Sequence, residues 1–265
     1  MRSTRLLILT LGLTALAACT SDEVSTPTIP PYGTVRFINA VADTGAVDIR
    51  MIDQVEYSAI ANGLDFRTGT EHQITEAKTR KIRVFPTSRN INVTQNALFD
   101  ADVEVPANSR ITLLLVGSAR AKTLKFVTIN DDVTATAANS IAVRVVNAAT
   151  GAINGYVVDT TTTAIADPAS AANVVSLAAS PYVTRAIGAA ALRITDVGSA
   201  TITASASGPN AAVIPGALPA ASVRSAGTRF SVYYFPRGVA GSPQGGAALA
   251  TPAALWFVDR NPADQ

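Results

Sequence analysis

Three groups of residues have the types and spacing for chemistry. Asp100, Asp102 and Glu104 alternate in the stretch FDADVEV. Alternate residues of an extended strand share a face, so these carboxylates would stand in a row. Asp131 and Asp132 follow an apolar run further on. Calcium takes about six to eight oxygen ligands, and these five acids are the chain's candidates for a calcium site. The plainer reading is a solvated strand face whose charges discourage edge pairing. Asp43 and Asp48 are the pair that could serve as general acid and base, as in glycoside hydrolysis. Their plainer reading is that Asp43 caps the turn at Asp-Thr-Gly and Asp48 opens a strand.

His72 is the only histidine. A Ser-His-Asp or Cys-His site would need it, but it sits in the polar stretch TEHQITEA and reads as an exposed side chain. One histidine and one cysteine argue against a zinc site. No GxSxG elbow is present. Gly238, Gly241, Gly245 and Gly246 in PRGVAGSPQGGAA lack the strand–turn–helix setting and the Lys-Ser/Thr ending of a phosphate loop, and read as a hairpin loop. The expectation is a chain with no catalytic residues and no cofactor.

Strands must position whatever these residues do. Short β-branched runs broken by turn residues occupy 35–41, 46–52, 81–86, 103–105, 110–117 and 124–129, the pattern of an all-β protein. Their order repeats. VRFINA at 35–40 returns as VRVVNA at 143–148, KIRV at 81–84 as ALRI at 191–194, RITLLLVG at 110–117 as RFSVYYFP at 229–236, and KFV at 125–127 as LWFV at 255–258. Four echoes in one order indicate a duplicated domain. The small polar segment TATAAN, 134–139, reads as the linker. The expected fold is two tandem antiparallel β-sandwiches, immunoglobulin-like or transthyretin-like, with repeats at 33–135 and 136–265. Trp256 is expected in a core. The Ala-rich stretches 160–180 and 205–222 are expected to be loosely ordered or to cover the second repeat.

The start of the chain has a different character. Arg2 and Arg5 precede an apolar run over residues 6–18. At ~1.5 Å rise per residue the run is too short to cross a hydrocarbon core of ~30 Å. It has the form of a secretory signal peptide. Its end, Leu16-Ala17-Ala18-Cys19, resembles the lipobox of bacterial lipoproteins. That resemblance implies cleavage between Ala18 and Cys19 and lipid on the Cys19 thiol and amine, and two or more chains meet the requirement for stable anchoring. Thr20, in place of the Asp that often marks inner-membrane retention, points to the outer membrane. Residues 19–32 would then be the lipidated cysteine and a Pro-stiffened tether, able to span about 40 Å. No further cysteine exists, so no disulfide can form within the chain.

Charge excludes one class of partner. Without Arg2 and Arg5 the 21 basic residues become 19, against 19 acidic ones. Such a balance gives no nucleic-acid footprint.

VRFINAVADTGAVDIRMID at 35–53 resembles the opening motif of a bacterial extracytoplasmic family, domain of unknown function 4397. Val35, Arg36, Ala40, Asp43, Val47 and Asp48 match, and Asn39 stands where His is common. RITLLLVG and FVTINDD resemble the family's closing strands. The second half matches well at VRVVNA only; its GAINGYVVD lacks the acidic pair. The resemblance implies tandem repeats on secreted or lipid-anchored proteins and implies no chemistry. The expected function is a lipid-anchored cell-envelope protein that binds or supports a glycan or an envelope protein, its two domains gaining by avidity. The alternatives are a carboxylate-dependent hydrolase of envelope glycans and a periplasmic assembly factor.

Overall fold

Alternating side chains set the strands, and several strands are buried on both faces. A computed structural model describes residues 29–53, 60–159, 165, 168–211, 220–243 and 246–262. The leader, Ala18, Cys19 and most of the tether lie outside the described residues, as do 160–164, 166–167 and 212–219 of the Ala-rich stretches.

The first half contains β1 (Tyr32–Asn39), β2 (Val47–Met51), β3 (Ala61–Leu64), β4 (Gln73–Glu76), β5 (Thr79–Pro86), a one-turn helix (Ile91–Thr94), β6 (Phe99–Glu104), β7 (Arg110–Val116) and β8 (Lys125–Asn130). Its two sheets have the orders β4-β1-β7-β8 and β3-β2-β5-β6. The second half contains β9 (Ser140–Asn147), β10 (Ile153–Val158), β11 (Ala171–Val174), β12 (Val183–Ala186), β13 (Ala191–Asp196), β14 (Ile202–Ser207), β15 (Arg229–Phe235) and β16 (Ala253–Arg260). Its sheets repeat the plan as β12-β9-β15-β16 and β11-β10-β13-β14. Each half is a sandwich of two sheets.

The duplication extends to single hydrogen bonds. Asn39 Nδ2 donates to the Leu64 carbonyl at 2.9 Å, and Asn147 Nδ2 to the Val174 carbonyl at 3.0 Å. The same side chains accept from the amides of Val41 and Ala149. The Arg67 amide donates to Asn39, and the Leu177 amide to Asn147, at 2.8 Å each. Arg67 and Leu177 share a left-handed backbone, with φ of 67° and 60°, which non-glycine residues seldom adopt. In register, KIRV of β5 and ALRI of β13 occupy equivalent places against β2 and β10. The last echo slides: β8 and β16 are equivalent strands, but Val127 opposite Leu114 corresponds to Leu255 opposite Tyr233.

Two features differ from the sequence expectation. The pairs β1/β7 and β9/β15 are parallel, not antiparallel. Each parallel pair joins strands far apart in the chain, so no local turn signal announces it. The halves also do not hang as beads on a linker. Val35, Phe37, Ile111 and Leu113 face the first sandwich's own core. Ile38, Leu114, Val116 and Ile129, from the opposite face of the same sheet, pack on Val146, Tyr233 and Phe235 of the second half. Four sheets therefore stack in layers, and the inner two are buried on both faces. That is why LLLV, residues 113–116 of β7, reads as a continuous apolar run. The segment between β8 and β9 is held as well: Arg229 Nε donates to the Thr134 carbonyl at 2.6 Å. Trp256 lies half-buried, edge-on to Phe230 at 5.3 Å, with Nε1 donating to the Ala206 carbonyl.

Candidate functional site

The richest set of ionisable side chains lies between the two inner sheets, and both halves build it in the same way. Arg36 stands on β1 among residues facing the second half. Its Nε donates to Thr112 Oγ1 at 3.0 Å, one terminal nitrogen to the Val258 carbonyl at 2.9 Å, and the other to Asp259 Oδ1 at 2.8 Å. Arg144 is the equivalent residue of β9. Its Nε donates to Ser231 Oγ at 2.7 Å, and its terminal nitrogens to the Asn130 carbonyl at 2.7 Å and to Asp131 Oδ1. Each arginine thus crosses to the aspartate that ends the other half's last strand. Thr112 and Ser231 complete the exchange, each donating a hydroxyl at 2.6 Å to the aspartate of its own half.

One position distinguishes the halves. His72 Nε2 lies 2.9 Å from Asp131 Oδ2, and its Nδ1 lies 3.2 Å from Arg110. A guanidinium can only donate, so Nδ1 accepts and the proton sits on Nε2, in a neutral ring. The equivalent residue in the second half is Tyr182, whose hydroxyl donates to Asp259 Oδ2 at 2.8 Å. Tyr182 is sandwiched by guanidiniums, with Arg144 and Arg229 at 4.7 and 4.8 Å from its ring centre.

The electrostatics are those of a closed structural network. Burial pushes the Asp131 carboxyl up, but the His72 hydrogen bond and the Arg36 and Arg144 guanidiniums outweigh it and hold it below the usual range. Burial pushes His72 down; Arg36 and Arg110 add to this, and Asp131 opposes it without reversing it. Burial and the Asp259 carboxylate push the Tyr182 phenol up. Two arginines and two aspartates balance, and each buried charge has a partner, as such charges require.

His72 therefore departs from its expected exposure. Its side chain is 6% accessible, because the second half covers a stretch that is polar in sequence. The calcium candidates do not converge. On β6, Asp100 receives two hydrogen bonds from Arg83 at 2.7 Å, Asp102 lies 3.3 Å from Lys81, and Glu104 accepts from Thr79 at 2.5 Å. These are the residues directly opposite on β5, so the row is a cross-strand ladder of two charge pairs and one hydroxyl–carboxylate bond. Asp131 is in the buried network. Asp132 accepts from the Thr134 amide and from Arg229, each at 2.8 Å. Among the described residues no group of three or more His, Cys, Asp or Glu side chains could hold a metal ion.

Asp43 and Asp48 serve different loops. Asp43 reaches the β7–β8 turn and accepts from Ser118 Oγ at 2.5 Å and from the amides of Ala119 and Arg120 at 2.9 and 3.2 Å. Partial burial raises its carboxyl, but those three donors outweigh it and hold it low. Asp48, the second residue of β2, accepts from the Gly63 amide at 2.8 Å and from Thr87 Oγ1 at 2.6 Å. A general acid needs a raised pKa, and the Asp43 carboxyl is held low instead.

The sequence reading missed Arg36, Arg144, Tyr182 and Asp259. A signal was present: an arginine inside an apolar strand at the same place in both copies of the motif, VRFINA and VRVVNA.

No curated protein sequence matches the chain. Among solved structures the chain is similar to CBMbc, a family CBM26 module from Eubacterium rectale Amy13K crystallised with maltoheptaose. The two are 12% identical over 86% of this chain and 95% of that one, with a TM-score of 0.25. The family model described as Domain of unknown function (DUF4397) matches residues 33–157, which span the first sandwich, β9 and most of β10. Residues 33–157, a little under half of the chain, are therefore similar to that family.

Proposed function

We propose that this chain is a lipid-anchored protein of the bacterial cell envelope that acts by binding or as a scaffold, not by catalysis. The observation that carries the non-catalytic part is the closed network: Arg36, Arg144, Asp131 and Asp259 pair with one another and tie the two sandwiches together. A site built for proton transfer keeps a group exposed to substrate with a pKa near the working pH; here the buried Asp131 is held low, and the oxygens of Asp131 and Asp259 are occupied. The anchor rests on the lipobox-like Leu16–Cys19 segment and the tether that follows.

Cys19→Ser is the test. In cells fed a radiolabelled or alkyne-bearing fatty acid, the parent chain takes up label and sediments with membranes, and the variant does neither. A variant that keeps both label and membrane association overturns the anchor. Protease shaving of intact cells, read with a C-terminal tag, separates a surface position (tag lost) from a periplasmic one (tag kept).

A further inference from the structure

The contact between the sandwiches has a pseudo-twofold relation, so each local contact on it has a twin. At the end opposite the charge network the twins differ. On one side Phe66 meets Phe235 edge-on at 6.3 Å. Arg67 lies over Phe66 at 4.8 Å, and one of its terminal nitrogens donates to the carbonyls of Pro236 at 2.6 Å and Thr251 at 2.5 Å. The long β15–β16 loop closes over this side, with the Val239 amide donating to the Ala42 carbonyl at 3.2 Å. Two rings and a guanidinium fill the space.

The twin of the Phe66–Phe235 contact is Ser176–Val116, and the twin of Arg67–Pro236 is Leu177–Gly117. All four twin residues line an open crevice of about 470 Å³ between the sandwiches. It falls within the range of about 300–1,000 Å³ for ligand sites. Ala40 and Ala148, the last residues of the repeated motif, line it as well. The β7–β8 loop, residues 117–124, is shorter than its counterpart at 236–252 and does not close over it. Lys125 points to the same face as Val116, its partner in register, and lines the crevice. It has no ion pair among the described residues, and no carboxylate lines the walls.

We infer that this crevice is a binding site for a small amphiphilic anion, an aromatic or aliphatic body ending in a carboxylate or sulfonate. The body occupies the volume that Phe66, Phe235 and Arg67 fill in the twin, and the anionic end meets Lys125. Small apolar walls exclude a strongly hydrated ligand, and a cation unpaired at the wall favours a negative end. The inference rests on the binding reading above and names its ligand class, but it is independent of the anchor.

The test uses the full chain carrying Cys19→Ser, so that no acyl chain competes, and two probes: 8-anilinonaphthalene-1-sulfonate and its uncharged relative N-phenyl-1-naphthylamine. Saturable fluorescence enhancement at one site per chain is expected for both. Val116→Phe with Ser176→Phe, which copies the filled twin, should weaken both probes at least tenfold. Lys125→Glu, a surface change that leaves the packing intact, should weaken the sulfonate severalfold and leave the neutral probe unchanged. Far-ultraviolet circular dichroism and the melting temperature verify that the variants are folded. Enhancement that never saturates, or filled variants that bind like the parent, overturns the site. Lys125→Glu without effect on the sulfonate overturns the anionic part. Either result leaves the Cys19→Ser labelling experiment to judge the anchor separately.

Discussion

The two ends of the contact between the sandwiches follow opposite rules. At the charged end both halves keep the same parts: Arg36 to Asp259 and Arg144 to Asp131, each flanked by a hydroxyl from Thr112 or Ser231. At the apolar end the halves have drifted, with Phe66, Arg67 and Phe235 on one side and Ser176, Leu177 and Val116 on the other. Removing the partner of a buried charge costs about 3–5 kcal/mol, so the arginines and aspartates of the network resist change. Apolar volume is more forgiving, because a lost ring can be offset by a neighbour or left as a crevice. The same duplication thus yields a lock at one end and a difference at the other.

The largest effect should come from breaking the lock. Arg36→Ala strands Asp259 without its charged hydrogen bond and also removes a guanidinium 3.6 Å from Asp131. A loss of about 3–5 kcal/mol in urea unfolding is expected. Arg144→Ala should cost less, because Asp131 keeps Arg36 and His72. Equal costs, or a smaller cost for Arg36, would mean that the two halves are not coupled through Arg36 as the geometry implies.

A smaller effect sharpens the packing side of the comparison. A Cβ on Gly69 would lie 2.8 Å from the Phe257 ring and 2.9 Å from Ile38. The equivalent position in the second half is Ala179, bridged to Val146 as Gly69 is to Ile38, and the equivalent of Phe257 is Ile129. One half thus pairs a glycine with a ring and the other an alanine with a smaller branched side chain. Gly69→Ala should cost about 1–3 kcal/mol by overpacking. In a Phe257→Ile background the cost should fall below about 1 kcal/mol, a coupling visible in a double-mutant cycle. Additive effects would show that the ring is not what demands the glycine.

These positions also show what was legible beforehand. β1, β2, β5, β7 and β8 announce themselves by apolar runs, and the repeat of VRFINA as VRVVNA reveals the duplication. β3 and β4, with the sequences ANGL and QITE, offer no alternation and go unseen. The network was hidden for a different reason. Arg36 and Asp259 are 223 residues apart, and no local pattern reports a contact made by stacking one half on the other. His72 was misread because its neighbours are polar; its burial comes from the opposing sheet. The strand acids were legible in type and face, and only their partners on β5 were missing from the reading.

The smallest effect tests the one asymmetry inside the lock, His72 against Tyr182. His72 is neutral in the fold, facing Asp131, Arg36 and Arg110, with its pKa lowered chiefly by burial. Its unfolded value is ~6.5. A group whose folded pKa is depressed leaves stability intact above the unfolded value and removes it as pH falls toward the folded one, because the unfolded chain then binds the extra proton. Stability should therefore decline below pH ~6.5 with a slope of up to about 1.4 kcal/mol per pH unit. Asp131, whose folded pKa is also lowered, has its ordinary value at 3.8, so its own loss begins only in more acid solution. His72→Tyr copies the other half: the new hydroxyl can donate to Asp131, and Arg110 can stack on the ring as Arg229 does on Tyr182. Urea midpoints at pH 7.5 and pH 5 should differ in the parent and converge in the variant. If the parent shows no difference between those pH values, the neutral ring assigned to His72 is wrong. If the variant keeps the parent's full difference, the acid sensitivity lies outside the network and the two halves of the lock are equivalent in this respect as well.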